Sequence, residues 1–492
     1  MAMIESQDHH PHILIFPFLA HGHMIPLVDF AILLSQRGLT VTIVSTPFNI
    51  ARIRPTIDGL ICSGCDVRVI ELPFPCKECG LPENCENFDM ITSHDVAARF
   101  MLATRSLKEP FEKVMPQILP DCVISDFLLS WTSEVAHNFN IPRICFSATC
   151  NFSSVLRFCL NMHKPQDGVS TAHEPFLVPG LPDKVELTKS QLPDAFAYRE
   201  CEEKEQMLLF SKEVANAEEE SDGIIVNSFY ELEPSYVDCY KNTTGKPVLS
   251  VGPLFLCHEK RGERGKKSSI REEECLDWLG PKKERSVLYI SFGSISFLSR
   301  KQMEEMKMGL KKLGCFFIWA VKELDDLQFI DSLEEETRDK GMIIRGWAPQ
   351  AVILSHPSIG AFLTHCGWNS TIEAISFGVP MLTWPLFAEQ HLNEKLVVQI
   401  LGIGAKVGSL VISMALGEED AVEVVKREAI VEAVQRVMGP GGEGERLRER
   451  ARKVGDMARK AVDDQSGSSS LNVDYFIDFV NARRLTVPAS ML

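Results

Sequence analysis

An apolar run at residues 361–364 meets a tight polar turn, His365-Cys366-Gly367-Trp368-Asn369-Ser370, and a helical pattern begins at Thr371. This strand–turn–helix unit constrains the fold most, because successive units of its kind assemble a parallel sheet with helices on its faces. It also constrains chemistry. The first N–H groups of a helix lack intrahelical partners and, with the helix dipole, favour an anion. Gly367 lets the chain turn closely, and Asn369 and Ser370 carry side-chain donors beside the helix start. The turn therefore reads as a phosphate site. Its members also admit plainer readings: Ser370-x-x-Glu373 fits a helix capping box, His365 a satisfied core histidine, and Trp368 packing.

The same unit recurs along the chain. A β-rich run at 12–18 ends in Leu19-Ala20-His21-Gly22-His23, a helical pattern covers 25–36 with Pro26 in its first turn, and a strand follows at 39–45. Further strands are expected at 67–72, 122–125, 143–146 and 224–227, with helices at 93–115, 132–138 and 228–240. A second series opens with SVLYISFGS at Ser286, with a helix at 300–313 and strands at 316–321 and 342–345. No GxGxxG is present, so the dinucleotide fingerprint is missing and a dehydrogenase is the weaker rival. These patterns predict a first α/β domain at 1–250, a linker at 251–270, a second α/β domain at 271–470 and a last helix at 471–492 returning to the first domain. The basic run HEKRGERGKKSS within the linker reads as solvated and mobile rather than as an anion site. The glycine-rich GPGGEGE joins two charge-rich helical segments and follows no strand, so it reads as a helix–helix turn.

A chain of 492 residues exceeds one ordinary core and suits two or three domains. Its net charge of −16 argues against nucleic acid and anionic membranes as partners, since both need basic patches. No apolar run approaches the roughly 18 residues of a membrane span, and MAMIESQDHHPH lacks the features of a secretory signal. The odd count of 15 cysteines fits reduced thiols in the cytoplasm rather than a disulfide framework; a monomer without stable membrane insertion is expected. Two CxxC pairs, Cys62/Cys65 and Cys76/Cys79, flank DVRVIELPFP. As a strand, that segment holds them roughly 30 Å apart at about 3.3 Å per residue, so no metal is expected there.

The stretch from Trp347 to Gln390 carries WAPQ, HxxxGxFxTHCGWNSxxE, GVPM and a terminal EQ at fixed spacing. In this it closely resembles the signature box of plant secondary-product UDP-glycosyltransferases. FPFLAHGHMIP, CLDWL, SVLYISFGS and FIWAV extend the resemblance over essentially the whole chain. It implies an α/β fold of GT-B type, two facing Rossmann-like domains with a cleft between them, and a UDP-sugar on the C-terminal half. By the same resemblance Trp347 stacks on uracil, Ala348 and Gln350 read its edge, and Glu373 holds the ribose hydroxyls. Ser294, His365, Asn369 and Ser370, with the Gly367 turn, hold the diphosphate, and Trp368, Glu389 and Gln390 contact the sugar. Gln390 accompanies glucose as donor in this family; galactose, xylose and glucuronic acid are the other candidates.

The resemblance also supplies a base. Gly22-His23-Met24-Ile25-Pro26 matches the family's GHxxP pattern, which makes His23 the base and His21 the competitor. Asp126 follows a buried strand where the family places the carboxylate that orients this histidine. The implied reaction inverts the anomeric carbon to give a β-glucoside and UDP. UDP-glucose is a substrate here; no separate cofactor and no metal are implied, and the chain contains no Asp-x-Asp. Segments 76–91, 148–176 and 187–210 are the candidates for an acceptor pocket. The phrases LPFPCKECGLPENCENFD and LCHEKRGERGKKSS resemble the branch acting on flavonoids, triterpenoids, steroids and hormones. A sugar-nucleotide sensor without turnover is the rival from a different class, and the presence of both His23 and Asp126 argues against it.

Overall fold

In the computed structural model, which describes residues 10–91, 93–193, 204–257, 264–296, 298–322, 326–408 and 424–484, the apolar runs form two separate parallel sheets. The N-terminal half contributes β1 His12–Phe16, β2 Thr40–Ser45, β3 Val67–Glu71, β4 Cys122–Asp126 and β5 Arg143–Ser147. A small antiparallel pair follows, β6 Phe176–Leu177 and β7 Glu186–Leu187, and then β8 Gly223–Val226 and β9 Val248–Ser250. The C-terminal half contributes β10 Val287–Ser291, β11 Phe316–Val321, β12 Gly341–Arg345, β13 Ile359–Thr364, β14 Met381–Thr383 and β15 Gly404–Lys406. Sheet orders are β3-β2-β1-β4-β5-β8-β9 and β12-β11-β10-β13-β14-β15. Strands β1, β4, β5, β10 and β13 are buried at every position. Helices cover both faces of such a sheet, which is why these strands read as continuous apolar runs rather than as alternating ones.

Each order reverses once, between β1 and β4 in the first sheet and between β10 and β13 in the second. Open α/β sheets bind ligands in the crevice beyond the strand C-termini at this reversal. The register brings Phe16 opposite Ser125 and Ser291 opposite Thr364, so the segments after these four strands diverge and open a crevice in each half.

Four local expectations are corrected. The helix after β1 begins at His21, not Ile25, so Gly22 and His23 belong to its first turn. Residues 93–115 form two helices, His94–Arg105 and Lys108–Ile118. Pro110 explains the break, since it lacks an N–H and its ring would clash with the Ser106 carbonyl four residues back. The segment after β8 makes a short turn, Tyr230–Leu232, before helix Pro234–Thr244, with Pro234 in its favoured first position. The helix after β13 is Trp368–Phe377, three residues longer at its start than the pattern suggested. Residues 439–441 do join two helices, Arg427–Met438 and Gly442–Ala461.

The last helix, Ser468–Arg484, packs Val473, Phe476 and Val480 into the core of the N-terminal half. Asn472 Nδ2 donates to the Ser250 carbonyl at 2.9 Å, and Arg37 pairs with Asp474 at 2.6 Å. Between the CxxC pairs, β3 forms an edge strand, and the described residues contain no group of three or more His, Cys, Asp or Glu able to hold a metal ion. No helix among them is long and apolar enough to cross a membrane. Readings at residues 1–9, 194–203, 258–263 and 485–492 fall outside the described residues.

Candidate active site

The first crevice holds His23 and Asp126. Asp126 ends β4, and His23 follows β1 on the neighbouring strand, so the sheet itself sets their approach. His23 Nδ1 donates to Asp126 Oδ2 at 2.8 Å, and Asp126 Oδ1 accepts the Leu128 N–H at 3.0 Å. Asp126 is fully buried, whereas the His23 side chain is 21% exposed. Burial works to lower the His23 pKa, but the Asp126 charge, its hydrogen bond and the more distant Glu389 outweigh it, and the net shift is upward. Aromatic rings surround this histidine: Phe18 at 5.3 Å edge-on, Phe127 stacked at 5.8 Å, and Phe88 beyond, 6.2 Å from Phe18. His21 has a different environment. It is buried, its Nε2 lies 3.3 Å from Asp89 and 3.0 Å from Arg52, and burial lowers its pKa. Its ring packs 5.3 Å from Trp347 rather than toward Asp126.

The second crevice gathers the residues after β10 and β13. The turn before helix Trp368–Phe377 holds Cys366 at φ +66, a left-handed conformation unusual for a residue with a Cβ. His365 lies between two glycines; a Cβ on Gly367 or Gly293 would stand 2.4 or 2.5 Å from its Nε2. Ser294 is half-buried, next to Gly293 in that same loop. Burial, reinforced by Lys322, holds the His365 pKa down to about 4, so the ring is neutral near pH 7. Any anion here meets neutral N–H groups and a helix dipole, not an imidazolium.

The capping-box reading of Ser370 and Glu373 is corrected by the helix start. Gly367 is the N-cap, which moves Ser370 inside the helix. Gln350 Nε2 instead bridges Ser370 Oγ at 3.1 Å and Glu373 Oε2 at 2.8 Å, and Tyr289 donates to Gln350 Oε1 at 3.3 Å. Ala348 precedes this network, its carbonyl accepting the Gln350 N–H at 2.8 Å, and Trp347 is half-buried. The indole N–H of Trp368 donates to the Asn227 carbonyl of the N-terminal half at 2.8 Å, so this side chain wedges the two halves together.

At the other end Ala388, at φ +52, turns the chain into Glu389 and Gln390. Gln390 Oε1 accepts the N–H groups of Leu386 and Phe387 at 2.9 and 3.1 Å. Asn393 Nδ2 reaches both Glu389 at 3.3 Å and the Cys366 carbonyl at 2.8 Å, tying the two loops. Burial raises the Glu389 pKa, against hydrogen bonds and the His23 ring.

The two crevices meet. Asn369 Nδ2 donates to the Gly22 carbonyl at 2.9 Å. That carbonyl is free because its helical partner would be the N–H of residue 26, which is proline. The linker joins in as well. Arg264, in a stretch expected to be solvated, is 9% exposed and pairs with Asp29 and Glu373. Sequence reasoning missed Arg264, Asn227 and Asn393. A basic run gives no sign of a buried carboxylate waiting for it, and with the helix expected from residue 25 the Gly22 carbonyl was not recognised as lacking its helical N–H.

Residues 11–256 match the family described as "Glycosyltransferase, N-terminal domain", and residues 260–434 match "UDP-glucoronosyl and UDP-glucosyl transferase". UDP-glycosyltransferase 73D1 of Arabidopsis thaliana is 43% identical over 97% of this chain and 98% of its own length. Scopoletin glucosyltransferase of Nicotiana tabacum is 44% identical over 93% and 95%. Among solved structures, Glycyrrhiza uralensis UGT73P12, complexed with glycyrrhetinic acid 3-O-monoglucuronide, superposes with a TM-score of 0.89 at 33% identity, covering 97% of this chain and 96% of that one. Medicago truncatula UGT71G1, complexed with UDP-glucose, gives 0.78 at 26% identity, covering 96% and 98%. Two Rossmann-type sheets facing across a cleft define a GT-B glycosyltransferase. The chain belongs to the UDP-glycosyltransferase family of plant secondary metabolism and is an enzyme of that family.

Proposed function

We propose that this enzyme is an inverting, UDP-glucose-dependent O-glucosyltransferase acting on a small lipophilic plant metabolite with a flat or polycyclic skeleton. The observation that carries the reading is the His23–Asp126 pair in one crevice, coupled to Glu389 of the other. With Nδ1–H committed to Asp126, Nε2 is the nitrogen that takes the acceptor proton. The freed oxygen attacks the anomeric carbon from the face opposite UDP, and the C1–O bond to the diphosphate breaks. Asp126 stabilises the imidazolium that forms, as in base-plus-orienter pairs generally.

On the leaving side, the N-terminus of helix Trp368–Phe377, Ser370, Ser294 and the neutral His365 receive the diphosphate charge. Trp347 offers the ring for uracil, with Ala348 at its edge. Gln350 acts chiefly by fixing Ser370 and Glu373 for the ribose. Glu389 and the Gln390 amide contact the sugar. The Nicotiana relative's name and the UDP-glucose in the Medicago structure support glucose as the donor. The phenylalanines around His23 favour an aromatic or terpenoid acceptor over a sugar or a peptide.

The test is an acceptor screen of phenolics, triterpenes and hormones, with UDP-glucose, UDP-galactose, UDP-xylose and UDP-glucuronic acid offered in parallel and products read by mass spectrometry. A β-O-glucoside formed with EDTA present is expected. Preference for another sugar refutes the donor assignment, and UDP-sugar binding without turnover on any acceptor favours a sensor.

A further inference from the structure

The linker residues Arg264, Gly265 and Lys266 lie across the nucleotide side of the cleft. Arg264 Nε donates to both Asp29 oxygens at 3.1 and 3.0 Å, its Nη2 also donates to Asp29, and its Nη1 donates to Glu373 Oε1 at 2.7 Å. Asp29 belongs to helix His21–Gln36 of the N-terminal half and Glu373 to helix Trp368–Phe377 of the C-terminal half. One guanidinium therefore spans the cleft. Two residues on, Lys266 Nζ lies 2.6 Å from Asp89 of the N-terminal half. Between them Gly265, at φ +79, comes so close to the Trp347 indole that a Cβ would stand 2.8 Å from Cζ2. The linker also grips the Trp347 backbone: Ser269 Oγ accepts its N–H at 2.9 Å, and the Ser269 N–H donates to its carbonyl at 2.8 Å.

Asp29 and Glu373 are both buried and share this cation. Buried carboxylates are costly to leave unpaired, so loss of Arg264 removes the cation that holds the two in place. Burial opposes the arginine's own charge, yet the two carboxylates raise its pKa above the ordinary value. Arg264 occupies Glu373 Oε1 and Gln350 occupies Oε2. Each carboxylate oxygen accepts two hydrogen bonds, so one position per oxygen remains, which is what a cis-diol requires.

We propose that Arg264 is a positioning residue for donor recognition, holding Glu373 aimed at the ribose hydroxyls while its grip on Asp29 couples that aim to closure of the cleft. The inference rests on the reading of Glu373 as the ribose carboxylate. A linker cation, and not only the signature box, then sets UDP affinity.

The test is UDP titration calorimetry and steady-state kinetics on the full chain with Arg264→Gln, Arg264→Lys, Asp29→Asn, the Arg264→Gln/Asp29→Asn double variant and Glu373→Gln. Arg264→Gln is expected to weaken UDP by about tenfold or more and to raise the KM for the donor more than it lowers kcat. Arg264→Lys restores charge without the two-carboxylate fork and recovers part of the loss. Asp29 is given no contact with the nucleotide in this reading, yet Asp29→Asn is expected to weaken UDP in the same direction, and the double variant is no worse than Arg264→Gln. UDP affinity unchanged in a folded Arg264→Gln overturns the proposal. Tighter binding also overturns it, since Arg264 would then merely obstruct the ribose position. If Arg264→Gln does not fold, Asp29→Asn decides in the same way. Wild-type UDP affinity in Glu373→Gln refutes the ribose assignment itself, whereas a weakened Glu373→Gln beside an unaffected Arg264→Gln refutes only the inference drawn from it.

Discussion

The Asn369 amide donates to the Gly22 carbonyl at 2.9 Å, joining the first turn of the donor-side helix to the first turn of the helix that carries His23. Pro26 makes this possible by withholding the helical N–H that would otherwise fill that carbonyl. Pro26→Ala restores the N–H and sets it in competition with Asn369. The expected outcome is an unchanged or slightly higher Tm with lower turnover, because the helix gains a bond that the cleft loses. Asn369→Ala is expected to lower kcat/KM by about tenfold. Thermal melts with steady-state kinetics on both variants check this, and full activity in Pro26→Ala would show that the contact does not govern closure.

His23 must be neutral to accept a proton, and its pKa is raised in the folded protein. The acid limb of the kcat/KM profile is therefore expected above the ordinary histidine value of about 6.5. In Asp126→Asn the raising charge is gone while burial remains, so the limb moves to lower pH as turnover falls. His23→Ala is expected to lose about 10²- to 10⁴-fold in rate and to bind UDP normally. The stability sign is opposite. A raised folded pKa means the pair's contribution is fully present below the unfolded value and is lost as pH rises through the folded one. Activity and this contribution thus trade against each other with pH, and Asp126→Asn abolishes the stability part. Retained turnover in His23→Ala would sink the base assignment.

The sheets were legible because β1, β4, β10 and β13 are buried on both faces and so are apolar throughout. The signature stretch was legible because its polar residues stand at fixed spacing beside one of these strands. Helix starts were less so: Trp368 and His21 begin their helices without a side-chain cap, and capping residues are what a pattern reading looks for. The Ser370–Glu373 spacing mimicked a cap, but both side chains answer to Gln350 from another element. Arg264 was hidden for the same reason. Its partners, Asp29 and Glu373, are far away in sequence, and only the packing of two halves brings them to one guanidinium.

Gly367 has an ordinary φ of −59, so alanine meets no backbone strain there. The obstacle is His365, whose Nε2 would lie 2.4 Å from the new Cβ. Gly367→Ala is expected to fold and to push the His365 ring out of the crevice. UDP affinity then falls by about tenfold or more, the loss of one hydrogen-bond donor to a charged group. Calorimetry with UDP measures it; undiminished affinity would mean that His365 does not hold the diphosphate.

His365 and His391 are both buried, and burial holds their pKa values down to about 4 and about 3. The unfolded chain takes up these protons first, near pH 6.5, so each lowered pKa costs stability as pH falls from that value toward the folded one. For His391 the loss reaches about 2 kcal/mol at pH 5. Neither His391 ring nitrogen has a hydrogen-bond partner among the described residues, so an apolar side chain of similar size sacrifices no bond to them. His391→Leu is therefore expected to melt like wild type or slightly higher at pH 7.5 and clearly higher at pH 5. Melting curves at the two pH values give the comparison directly. Parallel acid destabilisation of variant and wild type would place the acid sensitivity elsewhere in the chain, with His365 the next residue to substitute.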